Sequence, residues 1–172
     1  MEPNNIVLIG MPGVGKSTVG VIIAKELGYQ FLDSDLVIQQ QEGKLLREII
    51  EEVGAEGFIE IENRVNAAIS ARHSVIATGG SAVYGREAME HLCAISTIVY
   101  LETDFPVIEK RLADIRGRGV VLRSGQKHAD IFEERVPLYR RYADITVNVT
   151  ELSVEQTVQI LLQKIQFLNS NH

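Results

Sequence analysis

Residues 6–18 read Ile-Val-Leu-Ile-Gly-Met-Pro-Gly-Val-Gly-Lys-Ser-Thr, and this stretch decides the fold. Ile6–Ile9 is a short run with no polar face, which predicts a strand buried on both sides. Gly10, Gly15, Lys16 and Ser17 then satisfy G-x-x-x-x-G-K-[ST]. Val19 to Leu27 follows at helical apolar spacing, stopped by Gly28. A strand before and a helix after are the context this pattern requires. The glycines let the backbone curl so that successive N–H groups around Gly13, Val14 and Gly15 point at one anion, and the helix N-terminus adds its positive end. In such a loop Lys16 bridges the β- and γ-phosphates of a nucleoside triphosphate, Ser17 ligates Mg²⁺, and Thr18 supplies a further hydroxyl.

Working outward, apolar segments of strand and helix character alternate. Phe31-Leu32, Val75–Thr78, Ser96–Leu101 and Ile145–Val149 read as strands. Leu36 to Arg72 is helical in pattern, with breaks expected at Gly43, Gly54 and Gly57. Further helices are expected over Arg86–Leu92, Phe105–Ile115 and Asp130–Ala143, and a last one capped by Ser153 runs to about Phe167. Alternation of this kind predicts an α/β fold, an open parallel sheet covered by helices on both faces, with ligands beyond the C-terminal strand ends. Residues 116–129 lack an apolar period and carry Gly117, Gly119 and Gly125, which marks a lid of about 14 residues.

Polar motifs fall at those strand ends. Asp33-Ser34-Asp35 offers two carboxylates for two tasks: one reaches Mg²⁺ through water, the other accepts a proton from a substrate hydroxyl. The competing reading makes Asp35 a helix N-cap before Leu36. Thr78-Gly79-Gly80-Ser81 places small residues where a ligand must approach the backbone closely. Between Lys110 and Arg141 stand nine basic residues against four acidic ones, a +5 window in a −6 chain. Arg118, in the centre of the lid, and Arg135, four residues before Tyr139, are the candidates there for contact with phosphate and substrate.

Composition bounds the rest. The chain has 172 residues, 45% of them apolar and 23% charged, which fits one domain over 1–172. An acidic balance disfavours nucleic acid and anionic membrane as partners, and no apolar run reaches the length of a membrane span. The single Cys93, read as a core thiol, excludes an intrachain disulfide, and the four histidines form no ligand-spaced pair. The N-terminus lacks a signal-peptide pattern, so a cytoplasmic location and a monomer acting on a small molecule are expected.

GMPGVGKST, FLDSDLVI, the TGG turn, the Arg-bearing loop and ERVPLYRRYADITV together resemble, in order and spacing, the shikimate kinases over roughly residues 5–165. The resemblance implies a three-layer α/β/α P-loop kinase with a five-stranded parallel sheet, a mobile lid and a helical substrate-binding segment at about 34–72. It implies transfer of the ATP γ-phosphate to the 3-hydroxyl of shikimate, with ATP and Mg²⁺ required. Position by position, it makes Asp33 the water-mediated Mg²⁺ carboxylate and Asp35 the group that holds and polarises the acceptor. Gly79 and Gly80 become substrate-binding, Arg118 the lid arginine that meets the phosphates, Arg135 the partner of the substrate carboxylate, and Arg111 a residue flanking adenine. Three positions depart from the pattern. Ile59 stands where the Gly-Phe-Arg-x-x-Glu helix has its arginine, Ser81 replaces the third glycine of a Gly-Gly-Gly turn, and Arg118-Gly119-Val120-Val121 replaces Arg-Pro-Leu-Leu. Two rivals follow: a relative that phosphorylates another hydroxylated metabolite, and a nucleotide-binding regulator with little turnover. Arg64, one turn beyond Ile59, is the candidate replacement for the missing arginine.

Overall fold

The computed structural model describes residues 4–114 and 120–170. Five parallel strands, β1 (Asn5–Ile9), β2 (Gln30–Asp33), β3 (Ser74–Ala77), β4 (Ser96–Glu102) and β5 (Ile145–Asn148), form one sheet in the order β2-β3-β1-β4-β5. The run at residues 5–9 is buried throughout, as a central strand covered on both faces must be. Helices α1 (Lys16–Leu27), α2 (Ser34–Glu42), α3 (Leu46–Ala67), α4 (Arg86–Ile95), α5 (Phe105–Asp114), α6 (His128–Tyr142) and α7 (Val154–Ser170) connect and cover the strands. None of these helices is long and apolar enough to cross a membrane.

The sheet register sets the site. Leu8 and Asp33 both pair with Ala77, so the chain leaves β1, β2 and β3 at one level of the sheet. The phosphate loop, the Asp33–Asp35 segment and the turn at 78–81 therefore open side by side. Thr78 seals the junction: its N–H and its hydroxyl both donate to Leu8 O, at 3.2 and 2.9 Å. Below this edge the main core gathers side chains from both sheet faces, among them Leu8, Ile23, Ile76, Leu92, Ile98, Ile131 and Leu161. A second, smaller cluster of Ile38, Leu46, Ile49, Phe58, Val65 and Val121 lies under α2 and α3.

Four local expectations change. The helical stretch 36–72 divides at Gly43 and kinks at Gly54 (φ 73°, ψ 179°), but it runs straight through Gly57, which packs on Val53. A 3-10 turn at Ala82–Tyr84, absent from the apolar pattern, closes the Gly79–Ser81 segment through Ala82 N–H to Gly79 O and Tyr84 N–H to Ser81 O. Helix α6 starts two residues early, because the Asp130 carboxylate accepts from Lys127 N–H across its first turn. Cys93 is exposed on α4 rather than in the core: the buried face of that helix is made by Ala88, Met89 and Leu92. Of the expected lid, residues 116–119 lie outside the described residues.

Candidate active site

A cleft of about 400 Å³ opens at the C-terminal edge of the sheet, lined by the phosphate loop, Asp35, Glu62, residues 78–81, Arg111 and Arg135. In the loop, Gly10, Gly13 and Gly15 all take positive φ, which side-chain-bearing residues resist, and this folds the backbone around the space above α1. Lys16 is buried beneath the loop, and its Nζ donates to Gly10 O at 2.7 Å and Met11 O at 2.9 Å. Burial lowers its pKa to about 8, against the opposing pull of Asp35. Among the described residues no carboxylate pairs with Lys16, so the ammonium is available to an anion in the loop.

The two aspartates make different contacts, and the N-cap reading needs a correction. Asp33, not Asp35, is the N-cap of α2: its Oδ1 accepts from Asp35 N–H at 3.0 Å. Its other oxygen accepts from the Ser17 hydroxyl at 2.8 Å, tying β2 to the first turn of α1. Asp35 is thereby free of capping and turns its carboxyl into the cleft. Burial, with help from the Asp33 charge and against Lys16, pushes its pKa up to about 6.

Close approach explains the glycines of the turn. A Cβ on Gly79 would lie 2.5 Å from Glu62 Oε2 and 2.8 Å from Asp35 Oδ1, and one on Gly80 would lie 2.5 Å from Pro12 Cδ. Tyr139, stacked on Tyr100, donates to Gly80 O at 2.5 Å and so anchors the turn to α6.

Arg135 is 1% exposed, and its Nε donates to Tyr84 Oη at 3.3 Å while Nη2 donates to Val121 O at 2.9 Å. Among the described residues no carboxylate pairs with it. A buried guanidinium held only by neutral acceptors beside a polar cleft is a ready partner for a ligand anion. Arg111 reaches across to the phosphate loop, where Nη1 donates to Gly13 O at 3.1 Å and to Val14 O at 3.3 Å. Gly13, Gly15, Ser17 and Thr18 line the cleft, while Val14 is buried behind it. Arg118 lies outside the described residues.

Ile59 packs on the second apolar cluster, and Arg64 does not replace it: it points outward and pairs with Glu42 at 2.7 Å. Beyond the cleft wall, Arg123 pairs with Glu56 of α3 and with Glu134 of α6, and its guanidinium lies over the Tyr84 ring, which also faces Arg135. Residues 121–126 are thus tied to the kinked half of α3 and to α6.

Sequence reasoning did not assign Glu62. It is 1% exposed and raised to about 7 by burial, with the Ser81 hydrogen bond pulling the other way. The signal was present: Phe58, Glu62 and Val65 share one face of α3, so a carboxylate falls on an apolar stripe.

A family model described as shikimate kinase matches residues 12–166. The chain is 34% identical over 161 residues to the shikimate kinase of Thermobifida fusca, covering 92% of this chain and 93% of that one. It is 35% identical over 177 residues to shikimate kinase 1 of Yersinia pestis, covering 99% of each. Its structure is similar to that of shikimate kinase from Acinetobacter baumannii in complex with shikimate, with a TM-score of 0.84, 33% identity, and coverage of 94% and 92%.

Proposed function

The chain belongs to the shikimate kinase family of ATP-dependent phosphotransferases, and from that premise we propose that it transfers the γ-phosphoryl group of ATP to the 3-hydroxyl of shikimate. The observation that carries the choice of acceptor is Arg135. Among the described residues it is the one cation lining the acceptor side of the cleft, and it is buried without a carboxylate partner there. An acceptor with a single carboxylate satisfies it.

In this reading the phosphate loop N–H groups and Lys16 bind the triphosphate, and Arg111 borders the nucleotide. The Ser17 hydroxyl and the Asp33 carboxylate, 2.8 Å apart, are hard oxygen donors of the kind Mg²⁺ takes, and they would hold it. The ion, when bound, neutralises charge on the β- and γ-phosphate oxygens. Arg135 fixes the acceptor carboxylate so that the reacting hydroxyl meets Asp35. The hydroxyl oxygen bonds to the γ-phosphorus as the bond to the β–γ bridging oxygen breaks. ADP leaves with that electron pair, and the hydroxyl proton passes to the Asp35 carboxylate. A pKa near 6 suits that base, because it is mostly ionised at neutral pH yet basic enough to accept. Arg118 is assigned to the phosphates from the lid, and a cytoplasmic setting in aromatic amino-acid synthesis accompanies the substrate.

One feature favours a second reading: with Ile59 in an apolar cluster and Arg64 paired outward, the acceptor side has fewer cations than an arginine at position 59 would give it. A neutral hydroxylated acceptor then becomes the rival. ADP formation with shikimate and with a panel of polyols and hydroxy acids decides between them, alongside Asp35→Asn. Saturable turnover with shikimate, abolished in the variant, is the expected result. Turnover with neutral polyols alone supports the rival, and ATP binding without acceptor-stimulated turnover overturns both.

A further inference from the structure

Two buried polar side chains in the cleft wall take no part in the steps above. Glu62 is 1% exposed and Ser81 is 4% exposed. Ser81 Oγ donates to Glu62 Oε1 at 2.5 Å, and Glu62 Oε2 has no hydrogen-bond partner among the described residues. A buried polar atom left unpaired is uncommon in a folded protein unless a ligand or water completes it. The direction of Oε2 is fixed by the Gly79 geometry, where it and Asp35 Oδ1 converge on the same point of the lining. Both carboxyls border the cleft.

We propose that Ser81 is a positioning residue: by holding Oε1, it turns Oε2 of Glu62 toward the acceptor, where Glu62 and Asp35 together receive two adjacent hydroxyl groups. The inference rests on the acceptor-kinase reading above and adds to it a residue and a requirement, namely a vicinal diol. Glycine at position 81 would leave the carboxyl without this tether. The turn holds the serine in place, since Tyr84 N–H binds Ser81 O at 3.1 Å and Ala82 N–H binds Gly79 O at 3.2 Å. An aliphatic alcohol with one hydroxyl leaves Oε2 unpaired and is rejected, as sites built around hydrogen bonds reject analogues that lack them. Lys16 from α1, Asp35 from α2 and Arg135 from α6 also face the Glu62 carboxyl. The Ser81 hydrogen bond favours its ionised form, so losing that bond moves its ionisation to higher pH.

The test measures kinetics of the full chain with shikimate and with an analogue lacking the hydroxyl next to the accepting one, across pH 5.5–8.5. Wild type is compared with Ser81→Ala and Glu62→Gln. Expected in S81A is a rise of about tenfold in the KM for shikimate, with the KM for ATP changed by less than about twofold. The midpoint of the pH profile of kcat/KM moves upward, and discrimination against the deoxy analogue collapses. E62Q keeps an acceptor for the serine hydroxyl, and in it the Glu62 midpoint disappears together with the diol preference. It decides the matter if S81A folds poorly. An unchanged shikimate KM and unchanged pH profile in S81A, or an intact diol preference in E62Q, overturns the inference while the kinase reading stands. Wild-type protein with no turnover of shikimate or any other diol overturns the kinase reading and the inference with it.

Discussion

Replacing Arg135 with methionine separates binding from folding in a way few cleft residues allow. The guanidinium makes two hydrogen bonds to neutral oxygens, at 2.9 and 3.3 Å, and no ion pair among the described residues. Each such bond contributes about 0.5–1.5 kcal/mol net, and the longer one lies at the weak end. Against that loss stands the desolvation of a full charge in a site that is 1% exposed, which a methionine of similar length removes. The two effects oppose each other, so the folding stability of R135M should lie within about 2 kcal/mol of wild type. Acceptor binding has no such compensation. A charge-assisted contact to a carboxylate is worth about 1.5–3 kcal/mol, or roughly ten- to more than hundredfold in kcat/KM for shikimate. ATP affinity should hold, because Lys16 and the loop are untouched. The decisive assay is a coupled ADP measurement with shikimate and with its carboxamide. Wild type should prefer the carboxylate, and R135M should treat the two alike. If R135M keeps the preference, the carboxylate is held by another group and the acceptor assignment built on Arg135 fails.

Three further outcomes are expected. Ile59 lies three residues before Glu62 on α3, so Ile59→Arg should bring a second cation to the acceptor side and lower the shikimate KM several-fold. An unchanged KM would show that position 59 does not reach the carboxylate. Gly79→Ala would push its Cβ against the carboxyl oxygens of Glu62 and Asp35 rather than against backbone, so turnover should fall at least tenfold and by more than the loss of thermal stability accounts for; a large loss of stability with turnover preserved would contradict this geometry. Glu62 has a folded pKa of about 7 against an ordinary carboxyl value of 4.5, so the native state binds its proton more tightly than the unfolded state. Its contribution is therefore fully present below about pH 4.5 and is lost as pH rises through 7, at most about 3 kcal/mol. Denaturant titrations should show E62Q flattening this decline between pH 5 and 8, and parallel wild-type and E62Q curves would count against a buried ionising Glu62.

The nucleotide half of this protein was legible from sequence because its chemistry is local. Gly10 to Thr18 carry the strand end, the anion-binding turn and the helix start within one stretch, so spacing alone predicts their geometry. The half proposed for the acceptor was legible only in part, because its groups come from α2, α3, α6 and the turn after β3, which meet only when the sheet forms. Asp35 and Arg135 stood out by charge and context. Glu62 did not: its place on the apolar face of α3 marks it as unusual, but its task shows only once Ser81 is seen to reach it from the turn after β3. The N-cap shows the same limit: both aspartates suit the role, and only the backbone at Asp33 (φ −100°, ψ 115°) decides between them.

The tie made by Arg123 carries a consequence for how the protein answers to its solvent. Its two carboxylate partners, Glu56 and Glu134, are substantially exposed, whereas the contact of Arg135 with Val121 is sealed inside. Mobile ions screen charges at the surface over about 8 Å at physiological ionic strength and about 3 Å at 1 M, and they reach the interior far less. Rising salt therefore weakens the hold of residues 121–126 on α3 while leaving the inner contact of the same segment intact. The same short segment is thus held twice, by an inner contact indifferent to the ionic medium and by an outer clasp that feels it.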